Sequence, residues 1–183
     1  TYGEKLTLPT EPTRKNAEFL GWFTEANGGT QVDANTIYKT DADSTYYAHW
    51  EEATVFSVIV PAVLPVTVDQ NGKVYVSNAE IVNHSTAAVQ VSSVTLTAEN
   101  GWTLVPYASD MSHAKVDSNQ IGFKINSAQT SKTGSTEQFE LTSPWQINEE
   151  ESLTLTYDAV VSALSQPVTN ANILCVLFVV EWA

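Results

Sequence analysis

Glu18-Phe-Leu-Gly-Trp-Phe23 gathers three aromatic side chains and a leucine into six positions, with one glycine beneath them. It runs into Glu25-Ala-Asn-Gly-Gly-Thr30, whose Gly28-Gly29 pair turns the chain. A second aromatic run, Thr45-Tyr-Tyr-Ala-His-Trp50, follows at a distance that lets it return alongside the first. Runs rich in aromatic residues and bounded by turn signals read as strands. The two are therefore expected to pair and to form the core of a small β domain, with Trp22 and Trp50 in it.

Outward from this pair, residues 1–8 alternate apolar and polar, Leu6 and Leu8 facing one way and Lys5 and Thr7 the other, which predicts a half-buried strand ended by Pro9 and Pro12. Gln31–Tyr38 reads as irregular, Thr40-Asp-Ala-Asp-Ser44 as a polar turn, and Glu51-Glu52 as a boundary. Together Tyr2-Gly3, Leu6, Leu8-Pro9, Pro12-Thr-Arg14, Phe19, Gly21-Trp22-Phe23, Gly28-Gly29-Thr30 and Tyr47-Ala48-His49-Trp50 resemble the Listeria–Bacteroides repeat, the internalin-type B repeat. The resemblance covers residues 2–50. It departs at Asn16-Ala17, where the family has Gly-Tyr. It implies a β-grasp-like mini-sheet from a bacterial surface protein, lacking the strand that opens the family's unit and so left with an open edge. Thr1-Tyr-Gly-Glu is no natural start, and the chain is expected to be a fragment.

Residues 53–183 differ in texture: aromatics thin out while Val, Ser, Thr and Asn rise. Thr54–Val60 reads as a strand ended by Pro61. Val66-Thr-Val68 and Lys73-Val-Tyr-Val76 flank Asp69-Gln-Asn-Gly72, a hairpin signal because Asn-Gly tolerates positive φ. Ala79–Asn83 and Ala88–Thr97 follow, the second changing phase at Ser92-Ser93, which predicts a β-bulge. Trp102–Val105, Gln120–Ile125, Gln138–Leu141 and Ser152–Tyr157 are further strands, and Asp158–Ser165 a short helical turn. Ile173–Trp182 is nearly all apolar and predicts a central strand covered on both faces, with Cys175 and Trp182 buried. About nine to eleven short strands at regular intervals predict an antiparallel β-sandwich, immunoglobulin-like or jelly-roll-like. Fragments such as Phe56–Ala62 and Leu153–Ala159 loosely resemble an uncharacterised class of secreted Firmicutes β-sandwich domains, which carries no activity over. The fold class is thus all-β: a truncated β-grasp-like repeat at 1–52 and a sandwich at 53–183.

The 183-residue chain has 8 basic and 21 acidic side chains, a formal charge of −13. Nucleic-acid binding needs the opposite sign, because affinity comes from cations displacing phosphate counterions. No segment reaches the ~18 apolar residues that span a bilayer. The single cysteine, Cys175, has no activating base nearby in sequence and reads as a buried apolar residue.

No catalytic constellation is legible. His49, His84 and His113 stand about 30 residues apart with no metal-ligand spacing, and His49 is expected to face solvent. Glu149-Glu-Glu151 reads as a solvated charge run, and no nucleotide-binding or nucleophile-elbow pattern occurs. Asp41 and Asp43, or Asp69 and Asn71, place oxygens at alternate positions, but the twelve-residue calcium loop needs glycine where Tyr46 stands. Neither metal nor cofactor is expected. Trp102 and Trp145 follow turns, at Asn100-Gly101 and Ser143-Pro144, so with Tyr107 they are the candidate exposed rings for stacking on sugars. The expected function is non-enzymatic: an extracellular structural or adhesive spacer on a bacterial surface, whose partners are host or cell-wall proteins or glycans, with edge-strand pairing to another chain or repeat. The alternative is a carbohydrate-binding module using Trp102, Trp145 or Tyr107.

Overall fold

A computed structural model describes residues 3–37, 39, 42–69, 74–168 and 171–183. The chain folds as two compact units, Thr1–Val55 and Phe56–Ala183. Among the described residues both are built from strands, with no α-helix.

Unit 1 is an antiparallel sheet of β1 (Ala17–Phe23), β2 (Gln31–Val32) and β3 (Tyr47–Glu52), in the order β2-β1-β3. The two aromatic runs therefore pair, Phe19 opposite Trp50 and Phe23 opposite Tyr47. Between Phe19 and Gly21 the register shifts, and Gly21 sits at φ 130°. In an unbroken strand Phe19 and Trp22, three positions apart, would point to opposite faces. The bulge at Leu20 inverts that parity. Phe19 then meets both Trp22 and Trp50 edge-to-face, at centroid distances of 5.6 and 5.4 Å. On the other face the His49 ring stacks on Phe23 at 3.9 Å, and its Nε2 lies 2.9 Å from the Glu25 carbonyl. His49 is thus half-buried and engaged, not facing solvent as its position at a strand end predicts.

Two sequence expectations for this unit are corrected. Among the described residues of the 1–8 segment there is no regular strand: Lys5 makes a single bridge to Ile37, and the Leu6 amide donates to the Thr36 carbonyl at 2.9 Å. Pro9 and Pro12 stop the ladder there, since neither has an amide to donate. Gln31–Val32, expected to be irregular, is a short strand against Trp22 and Phe23, and Val32 is the buried aliphatic of the unit. Among the described residues β3 pairs with β1 alone and so lies at the sheet edge. Tyr2, Tyr38, Thr40 and Asp41 lie outside the described residues.

Unit 2 contains β4 (Val58–Ile59), β5 (Val66–Val68), β6 (Val74–Val76), β7 (Ala79–Asn83), β8 (Val89–Ala98), β9 (Thr103–Leu104), a 3-10 turn at Met111–His113, β10 (Gln120–Ile125), β11 (Ala128–Gln129), β12 (Thr136–Ile147), β13 (Ser152–Leu155), β14 (Tyr157–Val161) and β15 (Leu174–Trp182). They form the sheets β12-β8-β15, β13-β7-β4, β11-β10-β14 and β5-β6. One buried cluster joins Val89, Val91, Val94 and Leu96 of β8 to Ile121, Phe123 and Ile125 of β10 and to Ile81 of β7. Apolar faces of different sheets thus close on a shared core, a sandwich-like arrangement. The inward residues of β8 change parity between Val91 and Val94, and the pairing with β15 skips Ser92, which is the bulge its sequence predicts. β5 and β6 pair Val66 with Val76 as a hairpin requires; the turn residues 70–73 lie outside the described residues.

Several elements depart from the expected pattern. Thr54–Val60 narrows to the two-residue β4. Asp158–Ser165 is no helical turn; its first part is β14, held along β10 from Ile121↔Val161 to Ile125↔Tyr157. β9 runs parallel to β10, taking the end of β10 opposite to the one that β11 takes. Ser143-Pro144 is not a turn between strands but part of a bulge within β12, where the register breaks between Glu140 and Trp145. Proline is tolerated there because bulged edge residues owe no ladder bond. Among the described residues β15 is an edge strand and not a central one, with Cys175, Leu177, Val179 and Glu181 on an exposed face. Trp182 is likewise exposed, in edge-to-face contact with Phe56 at 5.0 Å.

Candidate functional site

The three rings singled out for sugar stacking have different surroundings. Trp145 is buried, not exposed. Across the register break it keeps the odd-numbered inward parity of Glu137, Phe139 and Leu141 and lies opposite Val91, and its Nε1 donates to Ser127 Oγ at 3.0 Å. Trp102 is half-buried against the core cluster, its amide tied back to the Glu99 carbonyl at 3.0 Å. Tyr107 is half-buried and donates its hydroxyl to Asp158 Oδ2 at 2.7 Å. That bond is made by the protonated phenol, so with partial burial and the carboxylate charge it raises the Tyr107 pKa above 10.0. The segment carrying Tyr107 lies close on β10: a Cβ at Gly122 would come within 2.8 Å of Tyr107 Cα and 2.7 Å of Val160. Among the described residues no aromatic contact joins Trp102, Tyr107 and Trp145. The structure does not assemble them into one platform.

Other titratable groups with displaced pKa values organise turns. Asp117 accepts from the Ser165 hydroxyl at 2.6 Å and the Ser165 amide at 2.7 Å, which hold its carboxyl below the usual range. The Ser112 amide does the same for Asp110 at the start of the 3-10 turn, and Asn35 and Thr36 do it for Asp33. The three carboxylates lie in separate turns, and beside Asp110 the Ser112 hydroxyl lies 2.6 Å from His113 Nδ1. A shallow depression on unit 1 is lined, among the described residues, by Thr24, Val32, Asn35, Thr36, Ile37, Lys39 and Tyr46, none of them a carboxylate. Among the described residues no three His, Cys, Asp or Glu side chains come together as metal ligands would. Of the calcium candidates, Asp41 and Asn71 lie outside those residues.

The most elaborate polar site is structural, and sequence reading passed it over. Asn83, fully buried at the end of β7, points Nδ2 at the carbonyls of Ala87, Ile147 and Asn148 at 2.9, 3.1 and 3.0 Å. Its Oδ1 accepts from the Ser85 amide at 2.8 Å. One side chain thereby ties the loop after β7 to the end of β12. Glu137, also buried, accepts from the Ser131 amide and hydroxyl at 3.0 and 2.6 Å, pinning the loop before its own strand. The available signal was the Asn83-His-Ser85 triplet, because asparagine accepts readily from an amide two residues on.

Comparison with protein families matches residues 1–49 to the Listeria-Bacteroides repeat domain. The match supports reading this segment as such a repeat, as its aromatic runs and paired glycines suggest. No solved structure gives a significant match to the chain.

Proposed function

We propose that this chain is a non-enzymatic structural module of a bacterial surface protein, spacing or presenting a binding region outside the cell. The observation that carries the reading is the repeat match over residues 1–49. It is supported by the all-strand construction of both units and by the charge of −13, which favours solubility and low non-specific adhesion. Displaced titratable groups that serve separate turns are also what a scaffold would contain.

Localisation of the full-length gene product tests it. Antibody against unit 2 should label intact cells, and protease added outside should remove the signal. A product found only inside the cell would refute the reading. Glycan arrays address the alternative. Burial of Trp145 leaves that alternative with Trp102 and Tyr107, and sugar binding abolished by Trp102→Ala would establish it over a passive spacer.

A further inference from the structure

We propose that a second copy of this chain docks on the free edge of β15, the two strands pairing antiparallel about a two-fold axis at Phe178. The edges of the sheet β12-β8-β15 are built differently. β12 carries devices that protect an edge: the charges of Glu137 and Glu140, Pro144, and a register break between Glu140 and Trp145. β15 has no charge and no proline from Leu174 to Val180, and its one register shift, toward β8, falls between Val179 and Val180. Leu177 is 59% exposed and Val179 44% exposed. Among the described residues β15 pairs with β8 alone, so its outer backbone donors and acceptors await a strand.

The sequence of β15 is complementary to itself. With the axis at Phe178, Leu177 faces Val179 of the copy, Val176 faces Val180, and Leu174 faces Trp182. Glu181, the one charge in the strand, falls opposite Cys175, so no like charges meet. Away from such a neutral strip, a chain carrying −13 repels its own copy. The breaks in β12 stop further addition at the far edges, so the assembly closes as a two-fold dimer with one continuous sheet β12-β8-β15-β15-β8-β12 and does not grow into a filament.

Sedimentation velocity of the whole chain between ~1 and ~200 μM should show a reversible monomer–dimer equilibrium. The double variant L177K/V179K puts like charges directly opposite one another at two places, and should weaken the dimer by about tenfold or more. Both side chains point outward, so its circular dichroism should be unchanged. A second readout does not depend on that variant. In E181C the new thiol lies opposite Cys175 of the copy, and mild oxidation should give a reducible covalent dimer. Within one chain positions 175 and 181 are about 20 Å apart along the strand, beyond disulfide reach. C175S/E181C should not cross-link. A chain monomeric throughout, a dimer indifferent to L177K/V179K, or E181C cross-linking no more than the unmodified chain overturns the proposal.

Discussion

Replacing Asn83 by alanine tests whether one buried amide holds the loop after β7 to the end of β12. Asn83→Ala strips a partner from the Ala87, Ile147 and Asn148 carbonyls and from the Ser85 amide. The contacts to Ile147 and Ser85 are fully buried, and those to Ala87 and Asn148 partly so, which lets water replace some of the latter. A buried group left unpaired costs about 1–3 kcal/mol, so the two dry contacts alone give roughly 2–6 kcal/mol. For a unit of this size the middle of that range lowers the melting temperature by roughly 10–20 °C. The isosteric Asn83→Asp sharpens the test, because it fills the same space but points a carboxyl oxygen at three carbonyls. The folded state then favours the neutral acid, raising that carboxyl's pKa above its unfolded value. Relative to the unsubstituted chain, stability should be best retained below about pH 4 and fall as pH rises, at about 1.4 kcal/mol per unit until the folded pKa is passed. Urea melts of both variants between pH 4 and 8, followed through the transition of unit 2, measure each effect. Loss below about 1 kcal/mol for N83A, or a flat pH difference for N83D, would refute the reasoning.

At Gly21 an added Cβ would collide with the Gln31 side-chain amide, which donates to the Leu20 carbonyl at 2.8 Å, and φ is 130°. Gly21→Ala should therefore destabilise unit 1 by about 1–3 kcal/mol and leave the unit 2 transition in place, as two-transition calorimetry would show. Trp145→Phe keeps the buried ring but loses the bond to Ser127, so about 1 kcal/mol is expected in the unit 2 melt. The depressed pKa of Asp117 means that its contribution is present above the ordinary value of 3.8 and lost as pH falls through the lower folded value. The melting difference from Asp117→Asn should shrink in acid. Tyr107 has the opposite sign: its contribution is present below 10.0 and lost as pH rises through the raised folded pKa, so Tyr107→Phe should flatten the alkaline limb.

Local patterns were legible wherever they state their own geometry. Alternation in Gln120–Ile125 put Ile121, Phe123 and Ile125 on one face, and all three are buried together. The change of phase at Ser92 is a bulge because side-chain parity is a property of a single strand. The aromatic runs at 18–23 and 45–50 pair because large rings on short strands gain most by closing on each other. Of the candidate sugar-binding site less was legible. Ser143-Pro144 carries the same residues whether it ends a strand or bulges within one, and that difference decides whether Trp145 faces water or the core.

The sequence by itself determined that the chain is all-β, that residues 1–49 resemble the Listeria-Bacteroides repeat, and that β8 bends at Ser92. Tertiary structure alone decided that β9 lies parallel to β10, that Asn83 bonds to residues some 65 positions away, and that β15 stands at an edge. An apolar run such as Leu174–Val180 satisfies a central strand and an edge strand equally, since alternation and hydrophobicity describe its faces and not its flanks. What occupies the flanks is fixed by contacts between segments far apart in sequence, and among the described residues one flank of β15 is left open.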